Sequence, residues 1–410
     1  MATFLLMIIY LAFISLGLPD SLLGAAWPVM QSDYGAPLET AGFLFMTIAG
    51  GTIISSLVSG RVLKRYGTGK VTFVSVLMTA GALLGFHFAP SIIWLIVCAV
   101  PLGLGAGAVD AGLNDYVATN YKAHHMSWLH CFWGVGATLG PLIMAQFVSG
   151  DSSWRNGYFV ISGIQFTLVI ILFFTLPLWN KVKTKSNIIL KEETEDLKGL
   201  TNDDHAKDVK PLQVRGVKLA LSSFFFYCGV EATVGLWGSS FLVNVKGLSV
   251  VSAAGWVSFY YAGITIGRFI TGFITFKITN LTLIRVGQII ALTGAIILFL
   301  PLPSVFSLAG FIIVGLGLAP IFPCMLHETP TRFGKKHSQT IMGYQMAFAY
   351  TGTTFMPPLL GFIAAQSTIG IFPITIVIFV VAMLLSSEKL NILLAKKDLY
   401  KGNDTRKTVL

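Results

Sequence analysis

Four ionisable side chains stand well inside long apolar stretches of this sequence: Asp20, Asp110, Glu231 and Arg268. Asp115 and Glu328 lie nearer the ends of theirs. A charge at the centre of a hydrocarbon layer costs roughly 2.5–3.5 kcal/mol even on a lenient scale, so each of these residues needs a compensating role. Burial makes the ionised form of a carboxyl group expensive, and a second carboxylate nearby makes it more so. A carboxyl held this way can take a proton on one side of a barrier and release it on the other. Asp110, Glu231 and Asp20 are therefore candidate sites for a coupling proton. The plainer reading of each is a carboxylate locked in a polar network or an ion pair. For the coupling ion itself, sodium held by carboxylate and backbone oxygens is the alternative.

Neutral groups at matching depths suggest what else such a site would hold. Ring hydroxyls need amides and hydroxyls, and the C–H faces of a sugar need aromatic walls. Asn114 lies one turn from Asp110, and Gln345 and His130 occupy near-equivalent places in two later apolar stretches. Tyr227 and Trp237 flank Glu231 along one stretch, while Trp133, Tyr260 and Tyr261 are candidate walls. With 31 Phe in the chain, any one aromatic also has an ordinary reading as packing or lipid contact. Arg268 could pair with Glu328, Glu328 with Arg332 at i,i+4, and Asp115 with Arg61 or Arg65. These read either as structural fastenings or as a gate on the basic side of the membrane. No catalytic group is expected. The glycine words lack the Gly-Lys-Ser/Thr ending of a phosphate loop, and the four cysteines have no metal or disulfide spacing. Neither a cofactor nor a metal is implied.

The elements that must position these residues follow from composition. The chain has 410 residues, 54% hydrophobic and only 11% charged, with a mean hydropathy of +0.76. Soluble domains carry about 25% charged residues, which excludes a water-soluble enzyme, a disordered chain and a coiled coil. About 20 apolar residues cross a bilayer, and twelve stretches qualify: 3–31, 38–65, 68–89, 92–120, 125–149, 155–180, 215–244, 250–277, 281–302, 304–332, 337–365 and 368–395. The first lacks the basic flank and short length of a cleaved leader. Segment 181–214, rich in Lys, Glu, Asp and Asn, reads as a flexible linker with at most a short surface helix, and 396–410 as a polar tail. That leaves helical bundles at 1–180 and 215–395. All Lys and Arg except Arg155, Lys246 and the in-span Arg268 fall on one side of this layout. The bias places both termini in the cytoplasm and explains the net charge of +10 without nucleic acid. At 1.5 Å per residue, Asp20, Asp110 and Glu231 stand roughly 26, 15 and 24 Å above the cytoplasmic ends of their helices.

The two bundles carry one repeat. Gly103-Leu104-Gly105 recurs as Gly315-Leu316-Gly317, 212 residues later, and Gly60 recurs as Gly272 at the same offset. Gly17-Leu18-Pro19-Asp20 answers the stretch from Tyr227 to Glu231, and Gly136 with Pro141 answers Gly352 with Pro357. Parallel six-helix repeats suit transporters that rock two halves about a midplane site.

On Gly105 to Asn114, Gly229-Val230-Glu231 with Trp237, Gly263 to Arg268, and Gly134 to Pro141, the chain resembles the major facilitator superfamily along nearly its whole length. It is most similar there to the fucose–proton and glucose/mannose–proton symporter branch. The resemblance implies an all-α membrane fold, with twelve transmembrane helices in two six-helix bundles related by a pseudo-two-fold axis. It also implies proton-coupled uptake of a neutral sugar or polyol by alternating access. A proton antiporter exporting a drug or small metabolite is the alternative, and a receptor signalling through 181–214 is a third and weaker reading. Asp20 and Asp110 match acidic positions that the fucose symporter uses for substrate and proton, and Glu231 matches an acid of the glucose/mannose branch. The expected partners are a small molecule and the bilayer, with a monomer in the cell membrane. One departure stands out: Gly60-Arg61-Val62-Leu63-Lys64-Arg65-Tyr66-Gly67 has Lys64 where the family motif has an acid, so a gate built on that acid does not carry over.

Overall fold

A lipid layer offers no partners to a backbone, so a spanning chain must satisfy its own amides, and helices do so within one segment. The computed structural model describes residues 2–121, 123–148, 153–197, 211–275 and 277–407. Every regular element among them is helical. By backbone contact the chain forms two compact units, Met1–Asp208 with Ser249–Tyr261, and Val209–Leu248 with Ala262–Leu410.

The first unit holds α1 (Ala2–Asp20), α2 (Leu22–Tyr34), α3 (Thr40–Tyr66), α4 (Thr68–His87), α5 (Ile92–Asn120), α6 (Ala123–Ala145) and α7 (Trp154–Leu197). The second holds α8 (Val217–Asn244), the later half of α9 (Val250–Ile274), whose first half to Tyr261 belongs to the first unit, α10 (Asn280–Phe299), α11 (Ser304–Leu318), α12 (Ile321–His327), α13 (Thr329–Phe333), α14 (Lys335–Gln366) and α15 (Phe372–Lys407). Eleven segments among the described residues are long and apolar enough to cross a membrane. Helix α14 completes the twelve-helix layout. Its 32 residues are ample in length, but Tyr344, Gln345, Tyr350, Thr351, Thr353 and Thr354 dilute its apolar character.

The helices depart from the expected spans at three places. The first span, Thr3–Tyr34, is interrupted at the single residue Ser21, which stays in the right-handed helical region and separates α1 from α2. The tenth is divided at Ala319-Pro320 and again at Glu328, where Pro320 and Pro330 withdraw backbone donors. Helix α7 runs past the membrane to Leu197, so the first half of 181–214 is helical, as its Lys, Glu and Leu content favours. Residues 198–210 lie outside the described residues.

The repeat legible in the sequence is also a repeat of contacts inside each unit. A Cβ added to Gly136 on α6 would stand 2.0 Å from Ile14 O on α1, and one added to Gly352 on α14 would stand 2.1 Å from Phe225 O on α8. A Cβ on Gly105 of α5 would lie 2.6 Å from Ser75 O on α4, and one on Gly317 of α11 would lie 2.7 Å from Gly287 O on α10. Small residues let these backbones touch, which is how helices associate where the surrounding tails are as apolar as leucine.

A buried amide ties three helices together in each unit. Gln165 on α7 donates to Ser15 O on α1 at 2.8 Å and accepts from Thr79 Oγ1 on α4 at 2.8 Å. Gln288 on α10 donates to Ser387 Oγ on α15 at 2.8 Å, and Ser387 in turn meets Ser223 of α8 at 3.2 Å.

The crossings make a direct prediction. Gly136→Ala and Gly352→Ala should each lower stability by about 1–3 kcal/mol or more, read as a fall in the thermal unfolding midpoint of the detergent-purified protein. Gly60→Ala and Gly272→Ala, where an added Cβ meets nothing within 4 Å, should be neutral or slightly stabilising.

Candidate functional site

The first unit holds two of the three candidate acids. Asp20 ends α1 at the break in the first span, where its exposed carboxylate accepts a hydrogen bond from Trp133 Nε1 of α6 at 2.7 Å. The Trp133 ring stands edge-on to Tyr261, with centroids 6.5 Å apart. Tyr260, fully buried, packs against Tyr261 at 5.0 Å. Ser258, on the same stretch of α9, donates to Thr138 O at 2.7 Å, which fixes these tyrosines beside α6 within the unit. Asp110 is half-buried on α5. One turn on, Asn114 Nδ2 donates at 2.9 Å to both its backbone oxygen and its Oδ1. His130 on α6 meets the edge of Phe13 at 5.9 Å. Asp20 with Trp133, and Asp110 with Asn114, are thus two carboxyl groups each held by a neutral donor.

The second unit holds the third acid in a different setting. Arg268 Nη2 on α9 lies 3.3 Å from Glu231 Oε1 and 3.3 Å from the Tyr227 hydroxyl, both on α8. Tyr227 and Glu231 are four residues apart, so one helix face offers both to a single guanidinium. The ion pair is largely withdrawn from solvent, with side-chain exposures of 12% for Arg268 and 18% for Glu231. Arg268 therefore pairs with Glu231 and not with Glu328, as its depth in the helix had suggested. The reason is that the long Arg268 side chain reaches Glu231 and Tyr227 on α8, whereas Glu328 accepts from Asn280.

Several expected contact residues are sealed into the packing. Trp237 has no exposed surface, donates its indole N–H to Pro357 O at 2.7 Å, and fills the space above Gly361. It pins α8 to α14 and presents no face to a substrate in this structure. Gln345 is 1% exposed and accepts from Thr329 Oγ1 at 3.0 Å.

At the basic end, Glu328 accepts from Asn280 at 2.9 Å while Arg332 donates to Asn391 at 3.1 Å. The i,i+4 pair foreseen between them is not closed, although the backbone turn that would support it is present, with Arg332 N donating to Glu328 O at 2.9 Å. Each side chain has found a neutral amide on a neighbouring helix instead. Arg61 and Arg65 are exposed, Arg65 lying over the Tyr66 ring at 5.3 Å. The side chain of Asp115 lies outside the described residues.

Two features escaped the reading of charge alone. Arg285 on α10 makes a two-pronged ion pair with Glu388 on α15, both distances 2.7 Å. Arg285 lies close to the start of α10 and Glu388 in the last third of the apolar span 368–395, where neither charge stands out as mid-span. The buried amides Gln165 and Gln288 carry no charge at all, yet a lone amide in an otherwise apolar mid-span is the signal that finds them.

The sequence model of the Major Facilitator Superfamily matches residues 9–350. The glucose/mannose transporter GlcP of Bacillus subtilis is 24% identical over 384 residues, covering 90% of this chain and 92% of its own. The cis,cis-muconate transport protein of Acinetobacter baylyi is 22% identical, covering 88% and 87%. Among solved structures, the inward-open xylose transporter XylE of E. coli superposes with a TM-score of 0.77 at 14% identity, over 96% of both chains. That likeness is one of fold.

A double-mutant cycle tests the paired site. Losing one partner of a buried ion pair strands the other charge, whereas removing both relieves it. Arg268→Gln should lower stability by roughly 2 kcal/mol, a figure discounted from the fully buried case, and Arg268→Gln with Glu231→Gln should restore most of the loss. The thermal unfolding midpoints of the three variants provide the check.

Proposed function

This chain belongs to the Major Facilitator Superfamily, a family of membrane transporters and not of enzymes, and we propose that it imports a neutral sugar, a hexose or related polyol, together with a proton. The substrate class rests on one observation above others: a relative matched over 90% of this chain and 92% of its own is a glucose/mannose transporter. The aromatic and amide groups around Asp20 and Asp110 suit such a ligand. Trp133 and Tyr261 offer apolar faces for C–H surfaces, and Asn114 offers an amide for ring hydroxyls.

The coupling follows from the chemistry of the acids. Ionised, Glu231 holds the Arg268 guanidinium, which also touches Tyr227. A proton delivered to Glu231 cancels one of the two charges and leaves Arg268 to the Tyr227 hydroxyl. The same proton chemistry is open to Asp110 and Asp20, each held by a neutral donor that stays in place whichever form the acid takes. Sugar and proton bind from outside, the carrier reorients, and both leave on the cytoplasmic side. In this reading both termini are cytoplasmic, the membrane is the cell membrane, the carrier acts as a monomer, and the coupling ion is a proton and not sodium.

In proteoliposomes, uptake of labelled D-glucose should accelerate under an inward proton gradient. Asp110→Asn should lower the driven rate by about tenfold, equivalent to about 1.4 kcal/mol in the barrier. Uptake indifferent to both the gradient and the substitution would remove the coupling. Gradient-driven extrusion of amphipathic cations without sugar uptake would instead make the protein a proton antiporter, and a sodium requirement would replace the ion.

A further inference from the structure

The first span breaks where its acid sits, and the break has a visible support. Pro19 carries no backbone N–H, so the Ser15 carbonyl one turn earlier loses its helical donor. Gln165 of α7 supplies the replacement, its Nε2 lying 2.8 Å from Ser15 O. The amide is itself held in place, because Thr79 of α4 donates to its Oε1 at 2.8 Å. All three groups are buried, with Gln165 1% exposed and Ser15 and Thr79 4% each. Asp20 follows Pro19 directly. A cavity of about 50 Å³ lies against this turn, lined among others by Ser15, Pro19, Asp20, Thr79 and Gln165. That exceeds the roughly 10–15 Å³ a cavity needs to hold one water.

The second unit supplies an internal comparison. Val230 stands where Pro19 stands in the repeat, 211 residues on. Helix α8 contains no proline and runs unbroken from Val217 to Asn244. Its unit also has a buried amide, Gln288, carried on α10, the helix that repeats α4 and not α7, and that amide bonds to the Ser387 hydroxyl and not to a freed carbonyl. A buried amide is therefore present in both halves, and the capture of a backbone oxygen goes with the proline.

We propose that Gln165 is a positioning residue for Asp20: by replacing the donor that Pro19 removes, it fixes the turn that holds the Asp20 carboxylate against Trp133. The importance of that carboxylate rests on the transport reading above, but the positioning can be measured without transport. Trp133 Nε1 donates to Asp20 Oδ2, so the indole N–H resonance of Trp133, assigned by its loss in Trp133→Phe, reports where Asp20 stands. It can be followed in the full-length, detergent-purified protein labelled at tryptophan with nitrogen-15.

Gln165→Leu should move this resonance towards the position it takes in Asp20→Asn. Thr79→Val, which only loosens the amide, should move it part of the way and serves if Gln165→Leu does not fold. Adding Pro19→Ala to Gln165→Leu returns a donor to Ser15 O, so the resonance should go back towards its original place. Gln288→Leu should leave it unmoved. A Trp133 resonance unchanged in Gln165→Leu, or in Thr79→Val where Gln165→Leu does not fold, would overturn the proposal, as would failure of Pro19→Ala to restore it. Should the resonance behave as stated while proteoliposomes move no D-glucose, the positioning stands and the substrate reading falls.

Discussion

A polar group in hydrocarbon must bring its partner with it. In water a stray carboxylate or carbonyl is solvated at no cost to the fold, whereas in lipid each unsatisfied group costs several kcal/mol. Much of the architecture follows from this constraint. The backbone closes on itself as helices, and glycine lets those helices touch at Gly136 and Gly352. The amide Gln165 joins three helices through the Ser15 carbonyl and the Thr79 hydroxyl, and Gln288 joins α10 to α15 through Ser387. The acids obey the same rule: Asp20 takes the Trp133 indole, Asp110 the Asn114 amide, and Glu231 the Arg268 guanidinium.

The two units meet the rule with different means. In the first, the acids are held by neutral donors, and the helix bearing Asp20 is interrupted by a proline whose missing hydrogen bond is made good from α7. In the second, α8 is continuous, and its acid is held by a full opposite charge shared with a tyrosine. One six-helix pattern, visible in contacts that recur between the two halves at offsets of 211 to 216 residues, thus carries its acids in two different settings.

Much of this was legible in the sequence, for physical reasons that also set its limits. Charges inside apolar runs stand out, so Asp20, Asp110, Glu231 and Arg268 could be singled out and their spans placed. Spacing along a helix gives a face but not the neighbour that meets it, and for that reason Arg268 was matched with Glu328 when Glu231 is its partner. The i,i+4 spacing of Glu328 and Arg332 was likewise correct as geometry, but competing amides on adjacent helices took both ends. Trp237 illustrates the ambiguity of aromatics, since an indole suited to stacking on a sugar is equally suited to filling the gap over Gly361. The break at Asp20 was foreshadowed by Pro19, but a proline alone does not tell whether a helix bends or parts. Nor does it tell which group meets the carbonyl it leaves open, here Gln165, a residue 146 positions away.

The central claim is that proton and sugar move together through these acids. It is tested most directly by following the external pH of a weakly buffered suspension of de-energised proteoliposomes when D-glucose is added. The account predicts alkalinisation that keeps pace with sugar uptake and disappears in Asp110→Asn and Glu231→Gln. Acidification on adding sugar, or undiminished uptake with no change in pH, would contradict it.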